Sequence, residues 1–272
     1  MIRLAVRVRR EQAELVLAEL LELAPAGVEE RDLGPVIEYA VYGAPGEVPA
    51  LPALRAAAGD ALVEVASEEL PDGWDERWRA FHEPVTVAGR VHVRPPWHAP
   101  ASAAGLVDVV IDPGQAFGTG AHATTRLCLE LLLGLEPRGA LVDVGCGSGV
   151  LAIAAAKLGW APVVGVDHDP EAVRATQANA AANGARVEAR RHDLLRDGPA
   201  PGAATVVANL LRPLLMRVAA DGFAGDAPPR ALVAGGLLGH EADAVAAAFA
   251  RRGLREAARR TDGEWAALLL RA

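Results

Sequence analysis

"LVDVGCGSG", Leu141 to Gly149, is a short apolar run that breaks into three glycines, and "VLAIAAAK" opens a helical pattern directly behind it. A strand that turns through glycines into a helix is the opening unit of a nucleotide-binding α/β sheet. The glycines let backbone approach a ligand, and the helix start offers free N–H groups. Gly145, Gly147 and Gly149 spell G-x-G-x-G, whereas the dinucleotide fingerprint G-x-G-x-x-G needs a glycine where Val150 stands. The turn alone therefore does not name the nucleotide.

Outward from this turn, the chain from about residue 100 alternates regularly. "VDVVID", "ALVDVG", "PVVGVD", "RVEARRHD", "ATVVANL" and "ALVAGGLL" read as strands separated by helical stretches, which implies a parallel sheet covered on both faces. The last segments, "LREAARRT" and "EWAALLLRA" around the turn residues "DG", read as an antiparallel hairpin. Three strand ends carry chemistry at one edge of such a sheet. Asp167 is placed to accept hydrogen bonds from two ribose hydroxyls, Asp193 to reach an adenine amino group, and Asn209 to meet whatever lies in the crevice. Each alone reads equally well as a cap or turn residue. Together, at one edge of successive strands, they indicate a site.

The first seventy residues form another unit, β-α-β-β-α-β, with strands at "IRLAVRV", "GVEERDL", "VIEYAVYG" and "ALVEVASEEL": a ferredoxin-like pattern. Residues 71–99 follow as a linker helix, which lines up Trp74, Trp78 and Phe81 as a packing stripe, and a hairpin at "VTVAGRVHVRPPW". Residues 100–272 make the nucleotide-binding domain. Two cysteines and a strand-like start that lacks a signal peptide's apolar core point to a reduced cytoplasm. No window is long and apolar enough for a membrane span. A formal charge of −8 argues against general nucleic-acid binding and suits a basic protein partner.

Taken together, "VDVGCGSG" and "VVGVDHDP" resemble the first two motifs of the class I S-adenosylmethionine-dependent methyltransferases, and the terminal hairpin is similar to the end of their sheet. "DPGQAFGTGAHATTRLCLELL", Asp112 to Leu132, narrows the likeness to the ribosomal protein L11 methyltransferases. "VVANLL", "VAGGLL", "GEWAALLL" and "WDERWRAFHEP" are similar to other blocks of that family, so the likeness covers nearly the whole chain. It implies a Rossmann-like, seven-stranded methyltransferase domain preceded by a small ferredoxin-like substrate-recognition domain. It also implies a monomer acting on ribosomal protein L11, with S-adenosylmethionine as cofactor. Phe117, Gly118, Thr125, Gly145, Gly147, Asp167, Asp193 and Asn209 are then cofactor-binding residues, Asn209 lying nearest the transferred methyl. Ala123, where the family usually has proline, and Leu211-Arg212, where it usually has Ile-Ala, are departures that bear on fine positioning of loop and substrate.

Methyl transfer to an amine needs a positioned lone pair more than a dedicated base, since an α-amino group near pKa 8 deprotonates readily. The segment "AFGTGAHATT" reads as a lid. Thr125 there either caps a helix or touches the cofactor, and His122 reads as a structural loop residue. No metal site is expected, because Asp167, His168 and Asp169, and likewise His192 and Asp193, are chain neighbours whose side chains point apart. Cys146 reads as a small side chain among glycines. The competing readings are a nicotinamide oxidoreductase, a methyltransferase of another protein or small-molecule amine, and a non-catalytic factor that binds a ribosomal protein.

Overall fold

The computed structural model describes residues 2–13, 16–17, 20, 28–43, 48–49, 54–55, 58–69, 82–101, 103, 105–113, 120–225 and 228–272. The chain divides into two compact units, one built on Met1–Phe81 and the other on His82–Pro113 and Gly118–Ala272.

In the first unit, strands β1 (Ile2–Arg9), β2 (Glu29–Asp32), β3 (Val36–Gly43) and β4 (Leu62–Glu69) form one antiparallel sheet in the order β2-β3-β1-β4. This is the ferredoxin-like order. The alternation of β1 sends Leu4, Val6 and Val8 to one face, where they meet the buried helical residues Ala13, Val16, Leu20, Leu54 and Ala58. On the neighbouring strand Glu38 is buried. Its desolvation is outweighed by Arg7, whose Nε donates to it at 2.7 Å, and by Arg3, so its carboxyl is held below the usual range. Trp74, Trp78 and Phe81 lie outside the described residues.

The second unit opens with a small sheet of β5 (Val85–Val87), β6 (Val91–Arg94) and β7 (Val107–Val110). Here the structure corrects the sequence reading of "VDVVID", which was expected as the first strand of the large parallel sheet. β7 instead runs parallel to β6. Arg94 grips Asp108 with two hydrogen bonds, at 2.9 and 2.8 Å, and tethers β7 to the hairpin.

The main sheet has seven strands: β8 (Leu141–Val144), β9 (Val163–Asp167), β10 (Val187–Arg191), β12 (Thr205–Asn209), β14 (Ala231–Leu238), β15 (Arg255–Asp262) and β16 (Trp265–Arg271). Their order is β10-β9-β8-β12-β14-β16-β15. The first five are parallel, and β16 enters antiparallel between β14 and β15. A minor pair, β11 (Ala200–Pro201) and β13 (Phe223–Ala224), lies apart from this sheet. The helices with described bounds are α1 (Ala123–Leu133), α2 (Val150–Leu158), α3 (Pro170–Ala182), α4 (Arg212–Asp221) and α5 (Ala242–Ala250).

The period-two alternation of the strands separates two cores. Leu141, Val207 and Val233 pack with α1 and α2, while Val142, Val144, Val206, Ala208 and Leu232 pack with α4 and α5. Strands buried on both faces read as near-continuous apolar runs: β12 does so over Val206, Val207 and Ala208, and β8 is apolar but for the buried Asp143. No helix among the described residues is long and apolar enough to cross a membrane.

Candidate active site

β8 lies between β9 and β12, the point at which strand order reverses, so a crevice opens at the carboxyl ends of β8 and β12. Gly145 directly follows β8 and Asn209 ends β12; both stand at that crevice. The glycine turn is pinned to β9 by hydrogen bonds from the Gly145 and Cys146 amides to the Val166 carbonyl, at 2.8 and 3.0 Å. Gly145 takes φ of 77°, and a Cβ there would stand 2.3 Å from Leu210 Cδ2. The left-handed backbone demands glycine, and any side chain would also have to displace the end of Leu210.

Asp167 fastens the turn from the neighbouring strand. Oδ2 accepts from the Gly147 amide at 3.0 Å, and Oδ1 accepts from the Asp169 amide at 3.1 Å, with His168 Nδ1 3.2 Å away. Each carboxylate oxygen has two lone pairs, so acceptor capacity is left over for hydroxyl donors. Asp193 is buried and engaged in its own turn, where Oδ1 accepts from the Leu195 amide at 2.9 Å; this is the capping alternative that the sequence offered.

The first turn of α2 is already supplied with a buried acceptor. Asp143 is fully buried, and its Oδ2 accepts from the Ala152 amide at 3.1 Å while its Oδ1 has no partner. That carboxyl takes up one of the free amides of the first turn, so one fewer is left for a phosphate. Burial pushes the Asp143 carboxyl up to about 7, opposed by the Ala152 hydrogen bond and reinforced by Asp167. An unfolded Asp titrates near 3.9, so between about pH 4 and 7 the folded chain holds a proton that the unfolded chain has lost. Asp143 thus makes stability fall as pH rises through that window and contributes no further slope above it. Thermal melts of the parent and Asp143→Asn across pH 4.5–8, about the span of that window, test this. The variant is expected to lose this downward slope, and an identical slope in both chains assigns it elsewhere.

Sequence reading missed a polar face on α3. Thr176 Oγ1 donates to the Gly147 carbonyl at 2.9 Å, and Asn179 Nδ2 donates to the Ser148 carbonyl at 2.9 Å. Asn179 Oδ1 accepts from the Asp112 amide at 3.1 Å, and Asn183 binds Val110 through both its amide groups. Helix α3 therefore braces both the glycine turn and the strand end that leads to residue 113. The available signal was Thr176, Asn179 and Asn183 recurring at helical spacing in an otherwise alanine-rich helix.

At the end of β12 the Asn209 amide is held on one side only. Nδ2 donates to Thr124 Oγ1 at 3.3 Å, while Oδ1 is buried and has no partner among the described residues. Thr125, the threonine singled out in the sequence, is fully buried with an equally unpartnered Oγ1; Thr124 bonds Asn209 instead. His192 Nε2, beyond β10, is another such atom. Buried polar atoms are rarely left unsatisfied, and these three belong to elements that start or end at one sheet edge, as expected where a polar ligand binds. Phe117 and Gly118 lie outside the described residues. Burial pushes the Cys146 thiol up, so it stays neutral and serves as a small packing group against Thr176.

A family profile described as ribosomal protein L11 methyltransferase (PrmA) matches residues 53–272. The ribosomal protein L11 methyltransferase of Bordetella parapertussis is 38% identical, over 91% of this chain and 92% of that protein. The one from Geobacter metallireducens is 41% identical, over 74% of this chain and 67% of that protein. A crystal structure of ribosomal protein L11 methylase from Lactobacillus delbrueckii subsp. bulgaricus superposes with a TM-score of 0.61 at 26% identity. That superposition covers 70% of this chain and 98% of the other.

Proposed function

The chain belongs to the ribosomal protein L11 methyltransferase family, and from that we propose that it methylates amino groups of ribosomal protein L11, α-amino and lysine alike, using S-adenosylmethionine. The observation that carries the reading is the meeting, at one crevice, of the G-x-G-x-G turn clamped by Asp167 and an Asn209 whose amide oxygen is buried without a partner. When bound, S-adenosylmethionine supplies an electrophilic methyl on a sulfonium. Asp167 would hold ribose hydroxyls with its remaining lone pairs, and Gly145 and Gly147 would bring backbone against the cofactor. Thr125, Asp193 and the lid residues Phe117 and Gly118 complete the proposed cofactor set.

Asn209 is the proposed catalytic residue. Its Oδ1 accepts a hydrogen bond from the incoming amine and directs the nitrogen lone pair along the attack line, so the main contribution is orientation. A lysine near pKa 10.4 needs to lose its proton before transfer, and a water-accessible crevice gives that proton an outlet. The small first unit is proposed to recognise the substrate, and the acidic chain, acting as a monomer, suits a basic protein rather than nucleic acid.

The test is the intact mass of purified, unmethylated L11 before and after incubation with this protein and S-adenosylmethionine. Mass gained in whole methyl steps supports the proposal; no gain with cofactor binding intact sends the activity to another substrate. In the same assay Asn209→Ala is expected to lower turnover by about tenfold to a hundredfold, a larger loss than it causes in cofactor affinity. Unchanged turnover would remove Asn209 from the catalytic role.

A further inference from the structure

His122 is the N-cap of α1, and imidazole is an unusual choice there: Ser, Asp and Asn cap a helix as well or better. The ring does more than cap. Nδ1 accepts from the Thr124 backbone amide at 3.3 Å and lies 2.8 Å from Thr124 Oγ1. A backbone N–H only donates, so Nδ1 is the acceptor nitrogen and the ring is the neutral form protonated at Nε2. The Thr124 hydroxyl therefore donates its one hydrogen to His122 and turns its oxygen lone pair towards Asn209 Nδ2, 3.3 Å away. An amide has two nearly isosteric ends, and this contact settles which faces the crevice: the NH₂ group is taken by Thr124, and Oδ1 is left for a ligand.

The surroundings maintain that state. Burial, with the Arg126 cation next, pulls the His122 ring below the ordinary histidine range and keeps it neutral. Arg126 is in turn paired with Asp262 at the end of β15. From β16, Trp265 packs against the imidazole with ring centroids 4.9 Å apart at an interplanar angle of 70° and adds no charge.

We propose that His122 is a positioning residue for the methyl-acceptor site: through the Thr124 hydroxyl it fixes the direction in which Asn209 presents its amide oxygen. This rests on the reading of Asn209 given above. The test compares two replacements that both keep a helix cap. In His122→Asn the amide oxygen reproduces the place of Nδ1 and retains both hydrogen bonds to Thr124. In His122→Ser the short hydroxyl serves the Thr124 amide but does not reach its side chain. His122→Ser is expected to lose about tenfold in kcat, with KM for L11 and cofactor affinity within about twofold of parental, and His122→Asn to retain parental kcat. Thermal melts should put both variants close to the parent, since both are capped. Equal kcat in the two variants, whether parental or reduced, overturns the proposal.

A substrate-independent reading separates this from failure of the proposed activity. The Asn209 side-chain amide pair, assigned by its disappearance in Asn209→Ala, is followed in a proton–nitrogen correlation spectrum. It is expected to shift in His122→Ser and to hold its place in His122→Asn. A pair that stays fixed in both overturns the proposal even if L11 takes up no methyl.

Discussion

Asp167→Ala is expected to lower affinity for S-adenosylmethionine by about a hundredfold or more. Two effects add. Hydrogen bonds from hydroxyls to a carboxylate contribute about 1.5–3 kcal/mol each, and two of them are lost with the side chain. The Gly147 amide, which donates to Asp167 Oδ2 at 3.0 Å, also loses its partner, so the turn that would face the cofactor is no longer held in shape. Asp167→Asn separates the two, because its amide oxygen still accepts from Gly147 while the charge is gone. It is expected to fall between parent and Ala. Calorimetric titration with S-adenosylmethionine reads both variants, and an Ala variant that binds within threefold of the parent excludes Asp167 from the cofactor site.

The second large effect is placed at Gly235, on β14 opposite Asn209 in the parallel register. Its backbone is not in the left-handed region, so the demand for glycine is one of space alone. A Cβ would lie 2.2 Å from Cys128 Sγ and 3.0 Å from Asn209 Oδ1. Cys128 is buried at 0% exposure and has nowhere to retreat. Overpacking of this kind costs about 1–3 kcal/mol, and at about 2–4 °C per kcal/mol for a domain of this size Gly235→Ala should melt several degrees below the parent. Turnover is expected to fall further than stability accounts for, because the same methyl presses on the proposed catalytic oxygen. Gly235→Ala with Cys128→Ala separates the two consequences: deleting the sulfur relieves one clash and not the other. The double variant should recover most of the melting temperature and little of the turnover. Recovery of both would assign the whole effect to packing.

Most of the main sheet was legible in the sequence because its signals are local. A strand buried on both faces is a continuous apolar run, a glycine turn announces itself, and a residue at a strand end stays at that end whatever surrounds it. That is why Gly145, Asp167 and Asn209 stood out. "VDVVID" has the same local signature, yet β7 joined a different sheet, because an apolar run says nothing about its neighbour; the Arg94–Asp108 pair does.

The site divides in the same way. The family resemblance pointed to Thr125, but which threonine bonds Asn209 depends on the rotation of α1 relative to β12, eighty-five residues away in the chain. The polar residues of α3 and the carboxyl of Asp143 were written in the sequence, but their partners, the carbonyls of the glycine turn and the Ala152 amide, exist only once helix and strand have packed. Element type, strand ends and family came from periodicity and motif, which are properties of neighbouring residues. Sheet membership, the direction of the Asn209 amide and the pull on Asp143 came from packing. Hydrogen-bond direction and desolvation depend on distances of a few ångströms between segments that the chain order does not place together.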